Sequence, residues 1–197
     1  MTLVSTDWLN ENLNEIKIID ASWHLNRNRN AIEEYNKEHI KNAIFFDLEK
    51  NSNQEKNLPH NHFLPKKKDW EKALSKMGIS NNDKVVIYDN SDLISSCRCW
   101  FQFLYFGHKA ELVFILNGGL KKWKIENKKI TNKKTKIKPA KYFAKENIYM
   151  VKTKLQIKEN IKKKEFKVLD ARSKERFDGK ADEPRSGVEK WINRRFY

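Results

Sequence analysis

An α/β fold with a mainly parallel central sheet is predicted by three features of this 197-residue sequence. Short β-branched runs recur, each ending at Asp or Asn. Helical patterns lie between them. Glycines close several of those helices. Strands alternating with helices imply a layered α/β domain, in which parallel strands are buried on both faces and read as continuous apolar runs.

The strand runs are Ile16–Ile19 before Asp20, Val85–Tyr88 before Asp89 and Leu112–Leu116 before Asn117, with Ala43–Phe46 before Asp47 a weaker fourth. The first helix, Thr6–Leu13, starts at a Ser5/Thr6 cap and sets Trp8, Leu9 and Leu13 on one side. Ile32–His39 is amphipathic. Lys68–Met77 stops at Gly78, a residue suited to a left-handed helix end. Ser95–Phe106 is apolar almost all round and stops at Gly107, so it is predicted to be buried against the sheet. Gly118-Gly119 turns the chain into a short helix ending near Trp123. Lys128–Lys145 is lysine-rich and aperiodic, which reads as a linker. Asn147–Lys164 then looks helical, and Glu165–Leu169 looks like a strand running into Asp170.

Composition bounds the function classes. Hydrophobic residues make up 39% and charged residues 34% of the chain, with 41 Lys and Arg against 26 Asp and Glu, a formal charge of +15. The positive charge is almost all lysine, scattered in loose runs such as Lys66–Lys68 and Lys133–Lys138. A nucleic-acid reader gathers arginine and aromatics on one face, so no specific nucleic-acid partner is expected, only weak attraction to polyanions at low salt. No stretch reaches membrane-span length, and the N-terminus has no basic and apolar leader pattern; a reducing cytoplasm is the expected setting, with no membrane partner. Cys97 and Cys99 are too close for disulfide geometry and lack partners at zinc-ligand spacing. Both are expected to be small core residues.

The chain also repeats itself. Thr6–Leu13 is followed by "EIKIIDAS" (Glu15–Ser22), and Val151–Ile161 by "EFKVLDARS" (Glu165–Ser173). Each is a helix, a polar break, a strand and Asp-Ala, which an internal duplication explains. The organisation predicted is a first domain over 1–130, a linker over 131–146 and an incomplete second domain over 147–197.

The segments "IIDASW" (Ile18–Trp23), "EEYNKEHIKNAIFFDLE" (Glu33–Glu49), "LPHNHFLP" (Leu58–Pro65), "VVIYDNSD" (Val85–Asp92), "SSCRCWFQFLYFGH" (Ser95–His108), "LNGGLKKW" (Leu116–Trp123), "LDARSKERFDG" (Leu169–Gly179) and "DEPRSG" (Asp182–Gly187), in this order and spacing, resemble the tandem rhodanese family, the 3-mercaptopyruvate and thiosulfate sulfurtransferases. The resemblance implies two similar α/β domains, the first non-catalytic. The second carries a cysteine on a loop whose backbone N–H groups, at a helix N-terminus, cradle its sulfur. Sulfur passes from a small donor to that cysteine as a persulfide, then to a thiol or cyanide acceptor, with no cofactor. Arg176 and Arg185 match the arginines that grip the donor's carboxylate and keto group, a task suited to a planar guanidinium; that pair favours mercaptopyruvate over thiosulfate. Ordinary surface arginines are the competing reading, weakened by a chain that otherwise uses lysine. The family's assisting acidic residue and histidine match Glu49 and either His60 or His62, the extra loop residues leaving the histidine open; solvated loop histidines are the alternative. Arg98 and Trp100 are expected to serve packing between domains. Where the first domain's catalytic loop would open stands Asp89-Asn90-Ser91-Asp92, with no cysteine, an acidic stretch that repels a thiolate. Beyond Gly187 the resemblance stops. The chain is therefore expected to be a sulfurtransferase by descent that is inactive alone, with a non-catalytic interaction module or a fragment of a truncated gene as the alternatives.

Overall fold

The computed structural model describes residues 2–26, 28–56, 58 and 62–182. They divide into two compact units, 1–150 and 151–197. In the first unit a five-stranded sheet has the order β1-β6-β5-β2-β4, where β1 is Leu3–Val4, β2 Lys17–Asp20, β4 Ala43–Phe45, β5 Val85–Tyr88 and β6 Val113–Leu116. Every pairing in it is parallel. Two further short strands, β3 (His39–Ile40) and β7 (Ile130–Thr131), form a separate antiparallel pair.

The three predicted strong strands are the centre of that sheet, for the reason their sequences suggest. All four residues of β5 are buried, and so are three of four in β2 and in β6. Successive residues face opposite sides. Ile19, Val85 and Ile87 join a core with Trp70, Leu74, Phe103 and Phe106, whereas Ile18, Val86 and Tyr88 join one with Leu9, Leu120 and Trp123. Helices α3 (Lys67–Lys76) and α4 (Ser96–Tyr105) thus cover one face, and α1 (Thr6–Glu11) and α5 (Gly119–Ile125) the other. Helix α2 (Ala31–Lys37) leans Tyr35 on the second core. The Ser5 cap forms as predicted, its hydroxyl accepting from the Trp8 amide at 3.1 Å. Gly78 and Gly107 end α3 and α4 at φ +69° and +81°.

Residues 128–145 are not a detached linker. Ile130–Thr131 pairs with His39–Ile40, and the chain then runs over the first unit as a strap. The Ala140 amide donates to the Ser75 carbonyl, the Tyr142 amide to the Ser75 hydroxyl, the Phe143 amide to the Asn81 side chain and the Ala144 amide to Glu71. Tyr142 and Ala144 are buried in the α3–α4 core, and the Lys145 and Asn147 amides donate to the Phe106 and Tyr105 carbonyls. The compact unit consequently closes at 150 rather than 130.

In the second unit the long predicted helix shortens to α6 (Lys154–Lys163), preceded by a 3-10 turn at Ile148–Met150 that belongs to the first unit. Thr153 and Gln156 make a capping box that fixes its start. Glu165–Leu169 is not a strand: no described strand pairs with it, and Val168 and Leu169 are 62% and 88% exposed. An isolated strand leaves its backbone groups unpaired, so extended pairing does not form. The segment is tied instead by Asn160, whose amide bonds both the amide and the carbonyl of Phe166. A short α7 (Lys174–Phe177), capped by Ser173, follows.

Candidate functional site

The loops that leave β2, β4, β5 and β6 gather at the carboxyl end of the sheet, where open parallel sheets bind ligands. The chain order reverses between β2 and β5. There the loop after β2 and the loop after β5 interlock. The Ser95 hydroxyl donates to the Ala21 carbonyl (2.7 Å) and accepts from the Trp23 amide (3.1 Å), while the Asn90 amide donates to the Ser22 hydroxyl (2.8 Å).

Asp89 decides the electrostatics of the β5 loop. One carboxylate oxygen accepts from the Ser91 amide and hydroxyl, and the other accepts from the Ser96 amide at 2.8 Å. Ser96 opens α4. The carboxylate therefore sits on the first free N–H of a ten-residue helix, the kind of position that stabilises an anion. Its carbonyl accepts from the Leu120 amide (3.0 Å), an approach that needs Gly119: a Cβ there would stand 2.5 Å from the Asp89 oxygen. Beside it Asp20, 2% exposed, has its pKa raised, first by burial and in part by the Asp89 charge.

Behind this loop Glu34 is a hub. It accepts two bonds from Arg29 (2.8 and 2.7 Å), one from Asn90 (2.9 Å) and pairs with His24 (3.2 Å). The Arg29 bonds are the largest influence in holding its carboxyl below the ordinary value. Arg29 also donates to the Asn90 carbonyl at 2.9 Å, so α2 is fastened to the β5 loop.

On the other side of the switch point the structure brings together two residues singled out from sequence. The Trp23 indole N–H donates to Glu49 at 3.0 Å, the His62 ring meets Trp23 edge-on with centroids 4.9 Å apart, and His62 Nε2 lies 3.8 Å from Glu49 Oε1. Arg98 donates to the His62 carbonyl (2.7 Å) and stands 5.8 Å over Phe101; burial lowers its pKa. Glu49 itself is held by a turn in which Asp47 accepts from the Glu49 and Lys50 amides. The result is a carboxylate, an imidazole and a guanidinium brought together around Trp23 and the His62 backbone. Arg98 thus braces the histidine loop within the first unit, and Trp100 packs against that unit's core.

The cysteines divide. Cys99 is buried, as expected, and burial raises its thiol well above the ordinary value. Cys97 is exposed rather than in the core, because it lies two residues away on the outer side of α4. Its thiol is also pushed up, by partial desolvation first and then by Asp89. Arg176 lies on α7, capped at Ser173; His60 and Arg185 fall outside the described residues. Among the described residues no group of three His, Cys, Asp or Glu could hold a metal ion, and no helix is long and apolar enough to cross a membrane.

Sequence alone missed the roles of Ser22, Ser95, Arg29 and Glu34. Ser22 carries a signal in the Asp-x-Ser spacing after its strand, repeated at Asp89–Ser91, but many turns share it, and the pairings of Ser95, Arg29 and Glu34 are tertiary.

The rhodanese-like domain model matches residues 5–126, the stretch that builds this sheet and its loops. The chain belongs to the rhodanese-like family. It is 37% identical to the mitochondrial thiosulfate/3-mercaptopyruvate sulfurtransferase 1 of Arabidopsis thaliana over 94% of this chain and 54% of that one. It is 36% identical to human 3-mercaptopyruvate sulfurtransferase over 95% and 65%. The chain thus spans between about half and two thirds of the length of these relatives. Among solved structures it resembles the 3-mercaptopyruvate sulfurtransferase SseA of Escherichia coli, with a TM-score of 0.85, 27% identity, and 98% of this chain and 72% of that one covered. The Tum1 protein of Saccharomyces cerevisiae gives 0.81 at 26% identity, over 96% and 66%.

Proposed function

We propose that this chain supplies the non-catalytic rhodanese-like domain of a sulfurtransferase, together with arginines that bind the donor, and carries no sulfur-accepting thiol of its own. The observation that carries this is Asp89. In the loop where a rhodanese-like domain would hold an anionic sulfur, a carboxylate already occupies the N-terminus of α4, and neither Cys97 nor Cys99 has a lowered pKa. A thiol is nucleophilic as its thiolate, and an adjacent carboxylate disfavours that form. The relatives' names point to 3-mercaptopyruvate or thiosulfate as the donor, with Arg176 and Arg185 binding the mercaptopyruvate carboxylate and keto group and Glu49 with His62 assisting proton movement.

The purified chain, given 3-mercaptopyruvate or thiosulfate and cyanide, should form no thiocyanate above a no-protein control. Formation that disappears in Cys97→Ser would overturn the proposal. Joined after residue 187 to the part of a rhodanese-like domain that carries the cysteine loop, so that Arg176 and Arg185 are the donor-binding arginines present, the chain should gain activity; Arg176→Lys should then raise KM about tenfold, whereas His62→Gln should act on kcat. A non-catalytic interaction module is the second reading, favoured by the strap, which completes the first unit's core with no described residue beyond 150.

A further inference from the structure

In the first unit the lysine run of the strap meets lysines distant in sequence. A groove of about 640 Å³ opens where β2 and β4 begin, the opposite end of the sheet from the loops described above. Seven of its seventeen lining residues are lysine and none is acidic. Lys17 and Lys41 come from the sheet side. Lys129, Lys133, Lys134, Lys136 and Lys138 come from the strap. The strap segment 128–145 is itself lysine-rich and has no acidic residue, and the fold adds Lys17 and Lys41 to the same groove without bringing any carboxylate to its lining.

Pairing separates these lysines from their neighbours. Just upstream, Lys122, Lys124 and Lys128 meet Glu126, Glu38 and Asp7. No ion pair is found for any of the seven groove lysines among the described residues. Gathering like charges without partners opposes folding, and an acidic ligand relieves that repulsion. The floor is aliphatic: Ile16, Ile44 and Met77 are nearly buried, with Ile130 and Ile137, each 40% exposed, at the lip. Arginine and aromatic rings, which grip phosphates bidentately and stack on bases, are missing from the lining.

We propose that this groove docks an acidic, amphipathic segment of a partner protein, carboxylates on the lysine rim and aliphatic side chains on the isoleucine lip. Because it lies at the amino ends of the strands, docking leaves the carboxyl-end loops open. A partner held there is tethered to the chain without blocking the donor side.

The test uses the full chain and a short labelled peptide alternating Glu and Leu, followed by fluorescence anisotropy at about 0.1 M salt, where exposed charges still act within roughly 10 Å. Saturable binding is expected, weakened about tenfold or more when Lys133, Lys134, Lys136 and Lys138 are all changed to Gln. Changing the exposed α3 lysines Lys67, Lys68, Lys72 and Lys76 to Gln removes equal charge and should leave binding within about twofold. Ile130→Ser with Ile137→Ser should weaken this peptide but not a Glu/Ser one; circular dichroism checks that each variant is folded. Three outcomes each overturn the proposal: no saturable binding, equal loss in the α3 variant, or tighter binding to a single-stranded oligonucleotide of the same charge.

Discussion

His108 shows how one side chain couples burial to pH. It is 3% exposed, with Nε2 3.0 Å from the Asp83 carbonyl and Nδ1 3.3 Å from the Tyr142 hydroxyl. A neutral ring satisfies both: Nε2–H donates to the carbonyl and Nδ1 accepts from tyrosine. Burial, the largest influence, lowers the histidine pKa from 6.5, and it raises that of Tyr142 to about 12. The folded state therefore binds this proton less readily than the unfolded state. The stability that His108 contributes is present above its unfolded value of 6.5 and is lost as pH falls below that. The urea midpoint should drop between about pH 7.5 and about pH 5.5, and His108→Gln should flatten that dependence; an unchanged slope in the variant would remove His108 as the cause. The cysteines give a second residue-scale expectation. A thiol-specific disulfide reagent should modify one thiol in the native chain and two after denaturation, the native reaction vanishing in Cys97→Ser and persisting in Cys99→Ser.

At the scale of elements, the strap over 128–150 tests what holds the first unit closed. Its amides are bound by Ser75, Asn81 and Glu71, and its one large buried side chain is Tyr142. Tyr142→Ala leaves a cavity beside Trp70 and Phe106 and unpairs His108, so a loss of about 3 kcal/mol is expected in chemical denaturation. A loss under about 1 kcal/mol would mean that the strap rests on the core without supporting it. The strap was illegible in the sequence because side-chain periodicity does not record it: it docks through backbone amides and two buried residues among exposed lysines. The two-residue strands β1, β3 and β7 were missed for a related reason, being too short to carry a period. Glu165–Leu169 is the opposite case, a β-like sequence with no strand beside it among the described residues. What was legible, β2, β5 and β6, is what burial on both faces writes as continuous apolar sequence, while α4 was legible from its apolar run although its outer side carries the exposed Cys97.

At the scale of the whole molecule, the family was legible because ordered motifs sum even where each is weak, whereas the site was legible only in part. Glu49 and His62 do meet, but the Trp23 indole that joins them and the Asp89 carboxylate that caps α4 are tertiary facts. The organisation itself makes the last prediction. All five strands of the main sheet, both cores and the strap lie within residues 1–150. Among the described residues, neither core has a member beyond Met150. A chain ending at 150 should therefore fold cooperatively, with an unfolding free energy within about 0.5 kcal/mol of the same transition in the full chain. A chain ending at 130 should be much less stable, since it loses the strap's amide bonds and Tyr142 together. Limited proteolysis of the full chain should converge on a fragment ending near 150, with early cuts beyond it around the exposed Val168 and Leu169. A resistant fragment ending near 130, or equal stability of the two truncated chains, would show that the strap is an attachment and that the unit closes earlier.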